Sequence, residues 1–265
     1  MMTQSGRGSH RLVNGVRIHY LEHGADGPPL VLLPGITSPA ITWAFISERL
    51  AAFSRVITLD NRGRGLSSSG QDLSYYLADY ADDAAGIIHA LGIERPVVLG
   101  HSMGGRIAIK LAATAPEVVG RLIIADPPVS GPGRRPYPIP LPWYLEGRDL
   151  ATRGEAMPVA GGPLANWTEE QLALRTEWLP TCDVTALTES HRSFDDEDIH
   201  SLMPSIECPT LLICAANGGT ITPEDEHEIV GLIDDCRSMR IPDVGHMIPW
   251  DDIDAFTHAV RSFVV

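Results

Sequence analysis

The sequence is poor in cysteine, short of positive charge and without a long apolar run, and each shortage closes off a class of protein. Its four cysteines, Cys182, Cys208, Cys214 and Cys236, show neither a Cys-x-x-Cys pair nor a Cys/His spacing suited to a metal. Neither a disulfide framework nor a zinc site is expected. No apolar stretch approaches the roughly 20 residues that a membrane-crossing helix requires, and Met1 to His10 is polar where an export signal would be apolar. The expectation is a soluble, cytoplasmic protein with reduced cysteines and no membrane partner. The formal net charge of −14 repels polyanions, which argues against nucleic acid as a partner. A small anionic substrate would have to be held by a local cation.

At 265 residues and 44% hydrophobic content, the chain is long enough to bury one large core. Residues 11–22 read as two short strands around Asn14-Gly15, a dipeptide that tolerates the positive φ angles of a tight hairpin. Short runs rich in Val, Ile and Leu follow at Pro29–Leu33, Val56–Leu59, Pro96–Leu99, Arg121–Ala125 and Thr210–Ala215. Continuous apolar runs of this length suit parallel strands covered on both faces. Ser74–Leu91 and Met103–Ala115 have helical spacing and read as crossovers.

Residues 127–208 interrupt the alternation, beginning with the proline-dense stretch up to Pro142. We read them as an inserted lid, with 1–126 and 209–265 forming the core, because a long excursion of this kind in an α/β domain usually carries function. The alternation then resumes with a helix near Pro223–Ile233, a strand near Met239–Ile241 and a last helix from about Asp251. Oligomeric state stays open, a homo-oligomer included.

Gly100-His101-Ser102-Met103-Gly104 lies directly after one expected strand and before an alanine-rich helix. That is the strand–turn–helix context in which Gly-x-Ser-x-Gly presents a nucleophilic serine. Acyl transfer also needs donors for the developing oxyanion. The candidates are the amide of Met103, after the serine, and that of Ile36, in the turn Leu33-Pro34-Gly35-Ile36-Thr37. Among ten histidines, His246 follows the last strand and precedes the last helix, where a general base belongs. His101 is expected to pack as a structural residue. His23, His191 and His200 are candidates for either the pocket or the surface.

The carboxylate that orients the histidine is missing from its usual place. After the strand Thr210–Ala215 the chain reads Ala216-Asn217-Gly218-Gly219, with glycine where an aspartate is sought. One strand earlier, Asp126 ends the run Leu122-Ile123-Ile124-Ala125. We take Asp126 as the acid, with Glu224 and Asp243 as the fallbacks. The order Ser102, Asp126, His246 keeps the nucleophile–acid–histidine sequence of such enzymes.

These motifs resemble the α/β-hydrolase superfamily and, within it, the N-formylmaleamate deamidases of aerobic nicotinate breakdown. The resemblance spans nearly the whole chain. Its specific part is Asp126-Pro127-Pro128-Val129-Ser130-Gly131-Pro132-Gly133-Arg134-Arg135, supported by Leu33–Trp43, Arg62–Gly70, Leu141–Tyr144 and Gly245–Asp252. It implies an α/β-hydrolase fold, a mostly parallel sheet with helices on both faces and a helical lid. It further implies Asp126 as the acid, a small anionic amide as substrate and no cofactor or metal. For the substrate carboxylate, Arg134, Arg135 and Arg64 are the candidate anchors, each alternatively a plain surface charge, and Arg62 is expected to brace its loop. The rival readings are a carboxylesterase or enol-lactonase on the same triad, and a non-catalytic receptor of this fold.

Overall fold

Asn14 and Gly15 take positive φ angles of 51° and 76°, the backbone that a two-residue hairpin turn requires. They fold β1 (Arg7–Val13) onto β2 (Val16–His23). Both strands extend beyond the expected 11–22, because β1 is a mostly exposed edge strand and carries little apolar signal. The structure is a computed structural model describing residues 6–157, 164 and 166–265. The polar start of the chain at 1–5, and residues 158–163 and 165 of the expected lid, lie outside the described residues.

After the hairpin come β3 (Pro29–Leu33), β4 (Arg55–Leu59), β5 (Val97–His101), β6 (Arg121–Ala125), β7 (Thr210–Ala215) and β8 (Cys236–Ile241). These six are parallel neighbours, and β2 meets β4 antiparallel. The sheet order is β1-β2-β4-β3-β5-β6-β7-β8. The helices are α1 (Ala44–Leu50), α2 (Leu77–Ala90), α3 (Met103–Thr114), α4 (Leu141–Thr152), α5 (Glu169–Trp178), α6 (Val184–Asp196), α7 (Pro223–Leu232), α8 (Ile248–Asp251) and α9 (Ile253–Val264). Between β6 and β7 the described residues are helical or irregular, with no strand. No helix among them is long and apolar enough to cross a membrane.

The central strands are buried along nearly their whole length, and their alternate side chains supply two cores. Val31, Leu33, Val98, Ile124 and Leu212 face α2 and α3, joining Ile87, Ile107 and Leu111. Leu30, Leu32, Leu99, Ile123 and Ile213 face the other way, onto Ile46 and Leu50 of α1 and Phe256, Val260 and Phe263 of α9. Each such side chain contributes about 1.5–3 kcal/mol on burial, so register is strongly held: a one-residue slip would exchange the two faces.

The closest approach is that of α3 to the sheet. A Cβ on Gly104 would stand 1.8 Å from the carbonyl oxygen of Leu33, and one on Gly100 would stand 2.0 Å from that of Gly104. Both contacts are with backbone, which cannot swing aside. We expect Gly104→Ala to cost about 3 kcal/mol, a fall of roughly 10 °C in Tm for a domain of this size. Thermal denaturation checks this, and an unchanged Tm would show that the approach is looser than described.

Candidate active site

Ser102 bridges β5 and α3 at φ 55° and ψ −122°, a conformation unfavourable for an L residue. It is held there by the hydrogen bond its amide donates to the Ala125 carbonyl (2.9 Å) and by the Gly105 amide, which donates to the Ser102 carbonyl (2.8 Å). The strain turns the hydroxyl out of the sheet edge, where His246 meets it. His246 sits between β8 and α8, with Nε2 3.0 Å from Ser102 Oγ and Nδ1 2.6 Å from Asp126 Oδ2. The Gly245 amide donates to Asp251 (2.7 Å), tying the histidine loop to α8.

Asp126 is fully buried and, like the serine, has positive φ (43°). The Thr220 amide donates to Oδ2 at 2.8 Å, and the Thr220 hydroxyl lies 2.9 Å from the Asp126 carbonyl oxygen. Burial pushes this carboxyl toward a higher pKa, but His246 and the Thr220 amide outweigh it and hold the group below the ordinary value. An ionised Asp126 accepts Nδ1–H, leaving Nε2 with a lone pair for the serine proton. Glycine at 219 has a spatial reason: a Cβ there would stand 2.6 Å from Asp126 Oδ1. The Asp126 carboxylate, entering from β6, fills the space that a side chain on the loop after β7 would need. Glu224, in the first turn of α7, and Asp243 are exposed, and neither bonds to His246.

The loop after β3 runs beside the serine. A Cβ on Gly35 would come within 3.4 Å of the Ser102 Cβ, and Ile36 and Ser102 border the same cavity. Among the described residues neither the Ile36 nor the Met103 amide donates to another protein group, so both are available to an oxyanion. His101 is buried, and desolvation followed by the neighbouring His246 lowers its pKa to about 3. A neutral ring therefore donates from Nε2 to the His246 carbonyl at 2.9 Å and packs against Trp43 and Trp250. It is structural as expected, yet it also lines the cavity. His23, His191 and His200 do not line it; His23 and His200 are buried elsewhere, and His191 bonds to Ile139.

The three expected anchors for an anion are engaged elsewhere. Arg134 pairs with Glu228, and Arg135 pairs with Asp225 (2.8 Å) and the Thr220 carbonyl (2.6 Å). Both reach away from the cavity to α7, whose acidic first turns neutralise them. Arg64 is buried among the Ile36 carbonyl (3.0 Å), the Arg62 carbonyl, Tyr80 and Ser190. It shapes the Ile36 loop from behind and does not line the cavity. Arg62 braces its loop as expected, with two bonds to Asp83 (2.6 and 2.7 Å) and one to the Ser74 carbonyl.

The guanidinium that does border the cavity is Arg175 of α5, a residue the sequence reading passed over. Its signal was slight: it lies on the stripe Leu172, Arg175, Leu179 and is the buried residue of an otherwise polar helix. The remaining walls include Thr37, Ile139, Trp143, Tyr144 and Leu164. The space is narrow.

A strained serine, an imidazole on its hydroxyl, a buried carboxylate behind and two free amides in front make a site able to transfer acyl groups. The chain belongs to the alpha/beta hydrolase family, which it matches over residues 30–259. It is 46% identical to the N-formylmaleamate deformylase of Pseudomonas putida over 97% of this chain and 96% of that one. The solved structure of the N-formylmaleamic acid deformylase of Pseudomonas putida S16 superposes with a TM-score of 0.88 at 45% identity, covering 96% of this chain and 100% of that chain. A more distant relative, 27% identical over 96% of each chain, is the (E)-2-((N-methylformamido)methylene)succinate hydrolase of Acinetobacter baylyi.

The shared space of residues 126 and 219 makes a test. Asp126→Ala should lower kcat on an activated ester by about 10⁴, and adding Gly219→Asp should restore at least about tenfold of it by supplying a carboxylate from the neighbouring loop. Steady-state kinetics of the single and double variants check this. Near-normal turnover by the single variant would remove Asp126 from the site.

Proposed function

We propose that this chain is a cytoplasmic N-formylmaleamate deformylase, a serine amidase that splits its substrate into maleamate and formate in the aerobic breakdown of nicotinate. One observation carries the reading. An unbroken hydrogen-bonded line runs from Asp126 through His246 to Ser102 beside a small cavity, in a chain nearly half identical to a deformylase of that substrate. The formyl group sits on an amide nitrogen already conjugated to a second carbonyl. Its C–N bond is therefore easier to cleave than that of an ordinary amide.

Ser102 Oγ attacks the formyl carbon while His246 Nε2 takes its proton. The negative charge that forms on the formyl oxygen is met by the Ile36 and Met103 amides, a kind of interaction worth about 10²–10³ in kcat per donor. The imidazolium, stabilised by Asp126, then gives its proton to the amide nitrogen as the C–N bond breaks, and maleamate leaves. Water, deprotonated by the same imidazole, attacks the formyl-serine. Collapse releases formate and returns the proton to Ser102. The narrow cavity suits an acyl group of this size, and the chemistry draws on the chain's own side chains and amides.

Incubating the purified chain with N-formylmaleamate should release formate and maleamate in equal amounts, measured by coupled formate oxidation and chromatography. A fluorophosphonate should label Ser102, and Ser102→Ala should abolish both labelling and turnover. Labelling without formate release would mean a serine hydrolase with another substrate.

A further inference from the structure

Of the arginines buried around the site, one has far fewer acceptors than the others. Arg106 leaves Nε unpaired but donates to four backbone carbonyls, and Arg64 is surrounded by acceptors. Arg175, 6% exposed, hydrogen-bonds among the described residues only to Thr37, to its carbonyl at 3.4 Å and its hydroxyl at 3.1 Å, while Nε has no partner. No carboxylate pairs with it among the described residues, and residues 1–5, 158–163 and 165 contain no Asp or Glu. Burial lowers its pKa, and the nearby Cys182 and Tyr144 only partly offset that. A buried, unpaired cation is costly to keep and calls for an anion.

Its position says which anion. Arg175 comes from α5, in the segment between β6 and β7, and leans on the same loop that carries Ile36. Its guanidinium lies 5.7 Å from the Trp167 ring, which is stacked on Trp250 at 4.9 Å and 6°, beyond the histidine loop. The cation is thereby held in the wall of the cavity that Ser102 and His246 also line.

We infer that Arg175, steadied by Thr37, receives the carboxylate at the far end of the substrate, so that the site selects acyl compounds with an anionic tail. The inference rests on the function proposed above for its substrate, and on the unpartnered cation for its residue. Binding brings two charges together in a buried wall, which fixes the acyl end against Ser102.

The test compares kcat/KM for N-formylmaleamate with that for the neutral ester p-nitrophenyl acetate, using the full chain. Arg175→Gln should lower the ratio of the two by about a hundredfold. Arg175→Lys should lower it less, keeping the charge but losing the planar fork. A residue that only holds the fold together would depress both substrates alike, and an unmoved ratio overturns the inference. A second measurement needs no variant: maleamate should inhibit ester hydrolysis by the unaltered chain with a Ki at least about tenfold below that of uncharged maleamide. Equal inhibition by the two also overturns it. Failure to release formate from N-formylmaleamate would sink the proposed substrate alone, because the maleamate comparison, repeated on Arg175→Gln, still decides whether Arg175 binds a carboxylate.

Discussion

The site depends on how closely α3 lies against the sheet. Gly100 and Gly104 let helix and strand backbones approach to distances that any side chain would forbid, and the chain between them closes through a serine at positive φ. The strain is held by the β5–β6 register, in which His101 stands beside Ala125 and the Ser102 amide bonds to the Ala125 carbonyl. Because Ala125 immediately precedes Asp126, the bond that fixes the nucleophile also sets the starting point of the acid. Two strained residues at adjacent strand ends are thus carried by one stretch of well-packed parallel sheet.

The aspartate after β6 and the glycine after β7 form a single solution. Asp126 turns its carboxylate into the space beside residue 219, and Thr220 holds it with its amide. A carboxylate reaching the imidazole from either loop would meet the same Nδ1 edge. What the chemistry requires is a buried, ionised acceptor at that edge, and the strand that supplies it matters only through what must be small in return.

Charge is managed in the same local way. A chain of net charge −14 places several arginines near its site, and their partners separate their roles. Arg134 and Arg135 hold the start of the segment after β6 to the acidic α7. Arg64 fastens the Ile36 loop to α6 through Ser190 and the Ala186 carbonyl. Of these four, Arg175 lines the cavity and keeps a donor without a partner.

The strands, the crossover helices, the elbow around Ser102 and the address of His246 were legible in the sequence, because apolar runs, helical spacing and glycine placement are local consequences of how backbones pack. Asp126 was legible by the absence of an acid at 219 and by resemblance, although the reason for that glycine was not. α1 escaped because seven residues between a 3₁₀ turn and a short loop carry too little periodicity. The anchor for an anion could not be read at all: Arg134, Arg135, Arg64 and Arg175 are alike as letters, and only folding decides which finds a carboxylate or a carbonyl. Local pattern determined the scaffold and the nucleophile; long-range packing decided which charges are cancelled and which one is left facing the cavity, since cancellation depends on neighbours distant along the chain.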